Sequence, residues 1–144
     1  MDNVAVILII PSASYRTSAF IKAIEKLNLK ALIISDKSQV FSKKYPEKIM
    51  VMNYLKWKDK LDEIKKWSEN NFLKAVIGVD EESIVLAAKL SKFLNVEHNS
   101  VDSVLLTKDK YLMRVEFKKA GLNPPWFNRF LIHDEFEKIN SEVS

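Results

Sequence analysis

Residues 4–10, VAVILII, form an unbroken aliphatic run closed by Pro11. No polar residue interrupts it, so a strand made from it must be covered on both faces, and that requirement belongs to the inner strands of parallel sheets. The run is far too short to span a bilayer, which needs roughly 20 apolar residues. Two shorter runs of the same kind follow, over 31–34 and 75–79. Between them the apolar residues change to helical spacing. Ala19, Phe20, Ala23, Ile24 and Leu27 mark one face of a helix over 15–28. Trp57, Leu61, Ile64 and Trp67 mark a second over 56–70, with the tryptophans as core anchors. Ile84, Ala87, Ala88, Ser91 and Leu94 mark the inner face of a third, after Asp80. Residues 36–46 are polar and turn-prone, and 49–52 can add an edge strand. Strands alternating with helices cross over right-handedly and build a parallel sheet. The fold class is therefore α/β, a three-layer, doubly wound, Rossmann-like parallel sheet. Ligands in such sheets collect at the carboxyl ends of the strands, which points to the loops over 11–16, 35–42 and 80–82.

Length and composition narrow the function. The 144 residues suit one ordinary domain, and 47% hydrophobic content excludes disorder. Cysteine is absent, which removes disulfides, thiolate catalysis and cysteine metal sites. Asp2 stands where a signal peptide would carry positive charge, so a cytoplasmic, membrane-free protein is expected. The net charge of +4 is spread over all the expected helices without a basic block or interleaved aromatics. Nucleic acid is accordingly not an expected partner. His98 and His133 lack ligand spacing, so no metal site is expected on this chain, and His98 is read as part of a turn over 95–99. With only two glycines, Gly78 and Gly121, a Gly-x-Gly dinucleotide turn is ruled out.

Three stretches carry polar chemistry. The loop PSASYR offers the Ser12 and Ser14 hydroxyls, helix N-terminal amides and the Arg16 guanidinium to an anion. The plain alternative is a helix cap and one surface arginine. Asp80 directly follows a strand end, a common position for a working carboxylate. It is equally suited to N-cap the next helix, with Glu81 and Glu82 favouring the dipole. Ser100 can cap a short helix through Leu106. The third stretch is KDKYLMRVEFKKAGLNPPWF over 108–127. Here Thr107 is the expected N-cap, Asp109 lies in the first turn, Gly121 sits at C′, and the helix spans 108–120 before Pro124-Pro125 stops it. Lys110 and Arg114 share one face and can meet one polyanion; ordinary solvation of a helix is the alternative.

The segment Asp109-Lys110…Arg114…Gly121…Pro125 resembles the one that closes the N-terminal domain of ATP-grasp ligases. Ser14-Tyr15-Arg16 followed by Phe20 and Ala23 is similar to the first βα unit of the biotin-carboxylase-like members. Val79-Asp80-Glu81 and His98-Asn99-Ser100 resemble further stretches of the same domain. The resemblance, to the pre-ATP-grasp domain of carboxylate–amine ligases, covers residues 4 to about 127. It implies a domain over 1–125 and, over 126–144, a hinge and the start of an ATP-grasp lobe, with a strand near 130–132 and a short helix over 133–139. It implies that Lys110 and Arg114 face nucleotide phosphates, and that Ser12, Ser14, Arg16, Asp80 and Glu81 face the substrate. Since the 11–16 loop lacks the glycines of many members, its contact is with a substrate carboxylate. The complete enzyme would use ATP and Mg²⁺ to activate a small-molecule carboxylate as an acylphosphate for an amine. The nucleotide-clamping lobes, with their Gly-rich flap and acidic Mg²⁺ ligands, are absent from this sequence, so the resemblance implies partner lobes, no catalytic residue here, and no tight ATP binding by this chain alone. Trp126, Phe127 and Phe130 are then expected to expose apolar surface and to favour a homo-oligomer. The different class of reading is a stand-alone, non-catalytic α/β binding or interaction module.

Overall fold

The computed structural model describes residues 4–38, 49–133, 137, 140 and 141. The chain divides into two compact units, Met1–Val104 and Leu105–Ser144.

The first unit holds a four-stranded parallel sheet in the order β3-β2-β1-β4. Its strands are β1 (Val4–Ile9), β2 (Lys30–Ser35), β3 (Ile49–Val51) and β4 (Phe72–Gly78). Helix α1 (Thr17–Lys26) joins β1 to β2; α2 (Leu61–Glu69) precedes β4, and α3 (Glu81–Phe93) follows it. β1 is central, with Ile7 beside Leu32 on one side and Val76 on the other. Alternate residues of the aliphatic run feed two cores. Val6, Leu8 and Ile10 meet Ile24 of α1, while Ile7 and Ile9 meet Ile64 of α2 and Leu86 and Leu90 of α3. This is why the run has no polar position: each side chain from Val6 to Ile10 faces one helical layer or the other.

Helix ends follow backbone conformation. Asn28 and Asn95 have φ of 51° and 54° just beyond α1 and α3. In each case the next residue closes the helix by donating its N–H five residues back, Leu29 to the Ile24 carbonyl at 3.0 Å and Val96 to Ser91 at 3.0 Å. Asparagine tolerates this left-handed conformation better than other residues with a side chain.

Several boundaries differ from the sequence-based expectation. The second helix begins as a 3-10 stretch, Tyr54–Lys60, where the Asn53 side chain accepts from the Leu55 N–H at 2.9 Å. A non-helical Lys56 (φ −104°, ψ 28°) breaks the register before α2 starts at Leu61. Strand β4 starts at Phe72, ahead of 75, because it pairs with β1 from Val4 onward, with a register shift between Ala5 and Val6. The polar stretch over 36–46 lies largely outside the described residues.

Helix α4 (Val101–Lys108) is capped by Ser100, whose Oγ accepts from the Ser103 N–H at 3.0 Å. In the second unit α5 runs Lys110–Lys119. Thr107 is therefore inside α4 and is not the cap of the next helix. Asp109 takes that role, its carboxylate accepting from Tyr111 and Leu112 N–H at 3.0 and 3.1 Å. The exchange has a physical cause: an extended Asp109 (φ −114°, ψ 102°) breaks the chain of helical residues, and an aspartate at that break satisfies two free amides. Gly121, at φ 76°, closes α5, with Leu122 N–H reaching the Phe117 carbonyl at 3.0 Å and Gly121 N–H reaching Lys118 at 3.1 Å. Beyond it no strand forms over 130–132, where no pairing partner is present among the described residues. The short helix expected over 133–139 lies largely outside the described residues.

Candidate functional site

At the carboxyl end of the sheet, β1 sends its helix to one side and β4 enters on the other, so the strand order reverses between them. That is the crevice where open α/β sheets bind ligands. The Ser12 N–H and hydroxyl both donate to the Asp36 carboxylate, at 2.6 and 3.1 Å, tying the loop after β1 to the residue after β2. Ser14 organises the start of α1: its Oγ accepts from Arg16 N–H at 3.3 Å and its carbonyl from the Thr17 hydroxyl at 3.0 Å. Arg16 is exposed, donates to the Val79 carbonyl at 3.4 Å and to the Tyr15 hydroxyl at 3.2 Å, and so spans from the β1 loop to the end of β4. The Tyr15 hydroxyl, and further along the Asp80 charge, favour its cation.

Asp80 holds the N-cap of α3 in extended conformation, and the fully buried Ser83 hydroxyl accepts from Asp80 N–H at 3.1 Å and donates to its carbonyl at 2.8 Å. Glu81, exposed, lies in the first turn of α3. Gly78 lets α3 approach β4: a Cβ there would lie 2.8 Å from the Ile84 Cα and N and from the Ser83 carbonyl carbon.

Asp36 and Tyr54 belong to this end of the sheet and were not singled out from sequence; Glu82, expected only to favour the helix dipole, acts on Tyr54 there as well. The half-buried Tyr54 hydroxyl donates to the Ile34 carbonyl at 3.4 Å. Burial, then the Asp36 charge, pushes its phenol far above the ordinary tyrosine value, and the Glu82 and Asp80 charges add to the shift. Tyr54 is thus a neutral hydroxyl acted on by the charges of three carboxylates. The available signal for Asp36 was its place directly after a buried strand, matching that of Asp80 after β4. For Tyr54 there was none.

Burial opposes ionisation of Asp36, but the Ser12 N–H and hydroxyl, its own N–H and Lys37 outweigh it, so its carboxyl lies below the ordinary value of about 3.9. A lowered native pKa gives stability that is present above the unfolded value and lost as pH falls through the native one. Acid unfolding followed by circular dichroism should therefore show that Asp36→Asn is destabilised at pH 7, with the gap to wild type closing below pH 4. An unchanged gap would remove the Ser12–Asp36 tie as its cause.

In the second unit Lys110 is the exposed first residue of α5, and Arg114 follows one turn later, half-buried. Among the described residues the side chain of neither has an ion-pair or hydrogen-bond partner. Asp109 beside them is paired with Arg129, and the Leu112 N–H, then Arg129, hold its carboxyl below the usual range. A groove of about 840 Å³ runs between α5 and the post-helix segment, lined by Val115, Leu122, Pro124, Pro125 and Trp126. Neither Lys110 nor Arg114 lines it. Trp126 is 61% exposed, while Phe127 and Phe130 are half-buried. The His98 ring meets the Val96 carbonyl at 3.0 Å, in keeping with its place in a turn. Among the described residues no cluster of acidic or histidine side chains could hold a metal, and no helix is long and apolar enough to cross a membrane.

No family model and no curated protein matches the sequence. Solved structures that resemble the fold include the following two. One is an L-amino acid ligase from Bacillus licheniformis, with a TM-score of 0.71 and 18% identity over 90% of this chain and 33% of that one. The other is a phosphoribosylglycinamide synthetase from Anaerococcus prevotii, with a TM-score of 0.59 and 19% identity over 97% of this chain and 34% of that one. This chain spans about a third of the length of each. At such identities the likeness is one of fold.

Proposed function

We propose that this chain is the N-terminal, substrate- and nucleotide-contacting domain of an ATP-grasp ligase that activates a carboxylate as an acylphosphate for transfer to an amine. The observation that carries the reading is its fold likeness to a third of each of two enzymes, one named as an L-amino acid ligase and the other as a phosphoribosylglycinamide synthetase. The Asp109-Lys110 start of α5 supports it, because an exposed, unpartnered lysine at a helix N-terminus fits a phosphate.

ATP would supply the phosphoryl group that turns the carboxylate into an acylphosphate. The remaining roles belong to this chain. Lys110, with Arg114 one turn behind it, holds the nucleotide phosphates through charge-assisted hydrogen bonds. At the sheet end Arg16 receives a substrate carboxylate. Ser12 and Ser14 shape the loop that carries it, while Asp80 and Glu81 border the crevice across which it reaches. The Mg²⁺ ligands and the flap over the nucleotide belong to lobes outside this chain, in a longer polypeptide or a separate subunit, and Pro124-Pro125 is the hinge toward them.

Isothermal titration of the 144-residue protein with ATP and Mg²⁺ is the direct test. Weak binding is expected, since the clamping lobes are not supplied, together with no ADP production. Lys110→Ala should weaken binding about tenfold, the low end of the roughly 1.5–3 kcal/mol of a hydrogen bond to a charged group. Binding unaffected by Lys110→Ala would favour a non-catalytic interaction module, for which the exposed Trp126 groove is the observation at hand. Robust ADP production by this chain alone would overturn the assignment of catalysis to further lobes.

A further inference from the structure

The segment beyond the proline pair returns to the first turn of α5. Arg129 places Nη2 2.6 Å from Asp109 Oδ1 and 2.5 Å from Oδ2. Its guanidinium carbon lies 4.6 Å from the centroid of the Tyr111 ring, a cation–π distance. The same ring meets Phe127 edge-on, with centroids 5.5 Å apart and planes at 71°. Asp109 Oδ1 at the same time accepts from the Tyr111 and Leu112 N–H groups. Cap, aromatic ring and post-proline segment thus form one clasp, and the exposed Lys110 is the residue between the cap and Tyr111 in sequence.

An isolated exposed ion pair contributes little, but this pair belongs to a network in which one carboxylate serves two backbone amides and a stacked guanidinium. The carboxylate is also an anion already seated at the helix N-terminus, the position a phosphate would seek. Without a cation on Asp109, its charge would repel a phosphate approaching Lys110. With Arg129 in place the charge is neutralised and the cap geometry is held.

We infer that Arg129 is a positioning residue for the phosphate contact of Lys110: by clasping Asp109 it fixes the first turn of α5, screens the cap carboxylate from the incoming anion, and links that contact to the segment that leaves the domain. This rests on the proposed phosphate role of Lys110. It adds that the segment after Pro124-Pro125 is sensed at the nucleotide: moving it away withdraws Arg129 and leaves Asp109 uncompensated beside the phosphates.

The test uses the 144-residue protein and inorganic tripolyphosphate as the probe, with affinities from isothermal titration. Arg129→Gln should weaken binding about fivefold, as should Arg129→Lys, because lysine keeps the charge and loses the planar, stacking fork. The double variant Lys110→Ala/Arg129→Gln should bind no more weakly than Lys110→Ala, since Arg129 acts through Lys110 and the two effects do not add. The Asp109 carboxyl, followed by NMR titration, should rise in pKa in both Arg129 variants. Recovery of wild-type affinity in Arg129→Lys would show simple charge attraction and overturn the inference. Additive losses in the double variant would overturn it as well, by making Arg129 an independent contact. An unmoved Asp109 titration would overturn the clasp itself, whatever the affinities. Equal binding by wild type and Lys110→Ala would instead defeat the phosphate role of Lys110, and the inference with it.

Discussion

Gly78→Ala will lower the stability of the protein by about 3 kcal/mol, the upper end of what overpacking a close contact costs, and its midpoint of thermal unfolding by roughly 10 °C. The added methyl would sit 2.8 Å from backbone atoms of Ile84 and Ser83, and these cannot swing aside as a side chain would. Either the first turn of α3 lifts from β4 or the end of β4 shifts. Both movements disturb the sheet end, because Val79 N–H donates to the Ile9 carbonyl at 3.1 Å and the Val79 carbonyl receives Arg16. Gly121 provides the contrast. A Cβ there meets nothing within 4 Å, so that glycine is required only by its φ of 76°. Thermal and denaturant unfolding of Gly78→Ala decide the matter; a variant within about 0.5 kcal/mol of wild type, the usual spread of neutral substitutions, would mean that α3 does not approach β4 as closely as described.

Ile64→Ala should cost about 4 kcal/mol, toward the high end for an isoleucine cavity. Ile64 is fully buried, and it is the sole buried residue of α2. Leu61, Trp57 and Trp67 pack around the same core but remain partly exposed, so the helix is anchored through one side chain. Truncation removes its contacts with the Ile7, Ile9 and Leu90 layer and leaves a cavity that the flanking tryptophans, held at the rim, cannot fill. Leu61→Ala is the matched control and should cost less than half as much. Equal losses in the two variants would show that α2 is held by its whole face.

Much of the fold was legible because its signals are local. The aliphatic run over 4–10 demanded a strand covered on both faces, and β1 is central with alternate residues in two cores. Ser100 caps α4 and Gly121 ends α5 because capping and left-handed backbone are properties of single residues. The break between α4 and α5 was misplaced for a physical reason. Thr107 and Asp109 are both competent caps, and only the folded chain, in which Asp109 also receives Arg129 from 20 residues away, distinguishes them.

The sequence alone therefore determined the layers, the parallel sheet and the loops at its carboxyl end, because hydrophobic periodicity records which faces must be buried. What it left open was decided by tertiary structure: Ser12 with Asp36, 24 positions apart, Tyr54 set among Asp36, Asp80 and Glu82, and the clasp of Arg129 on Asp109. Such pairings depend on strand register and on where each crossover returns the chain. No residue in them carries a pattern of its own, so they exist only once the sheet and its helices have closed.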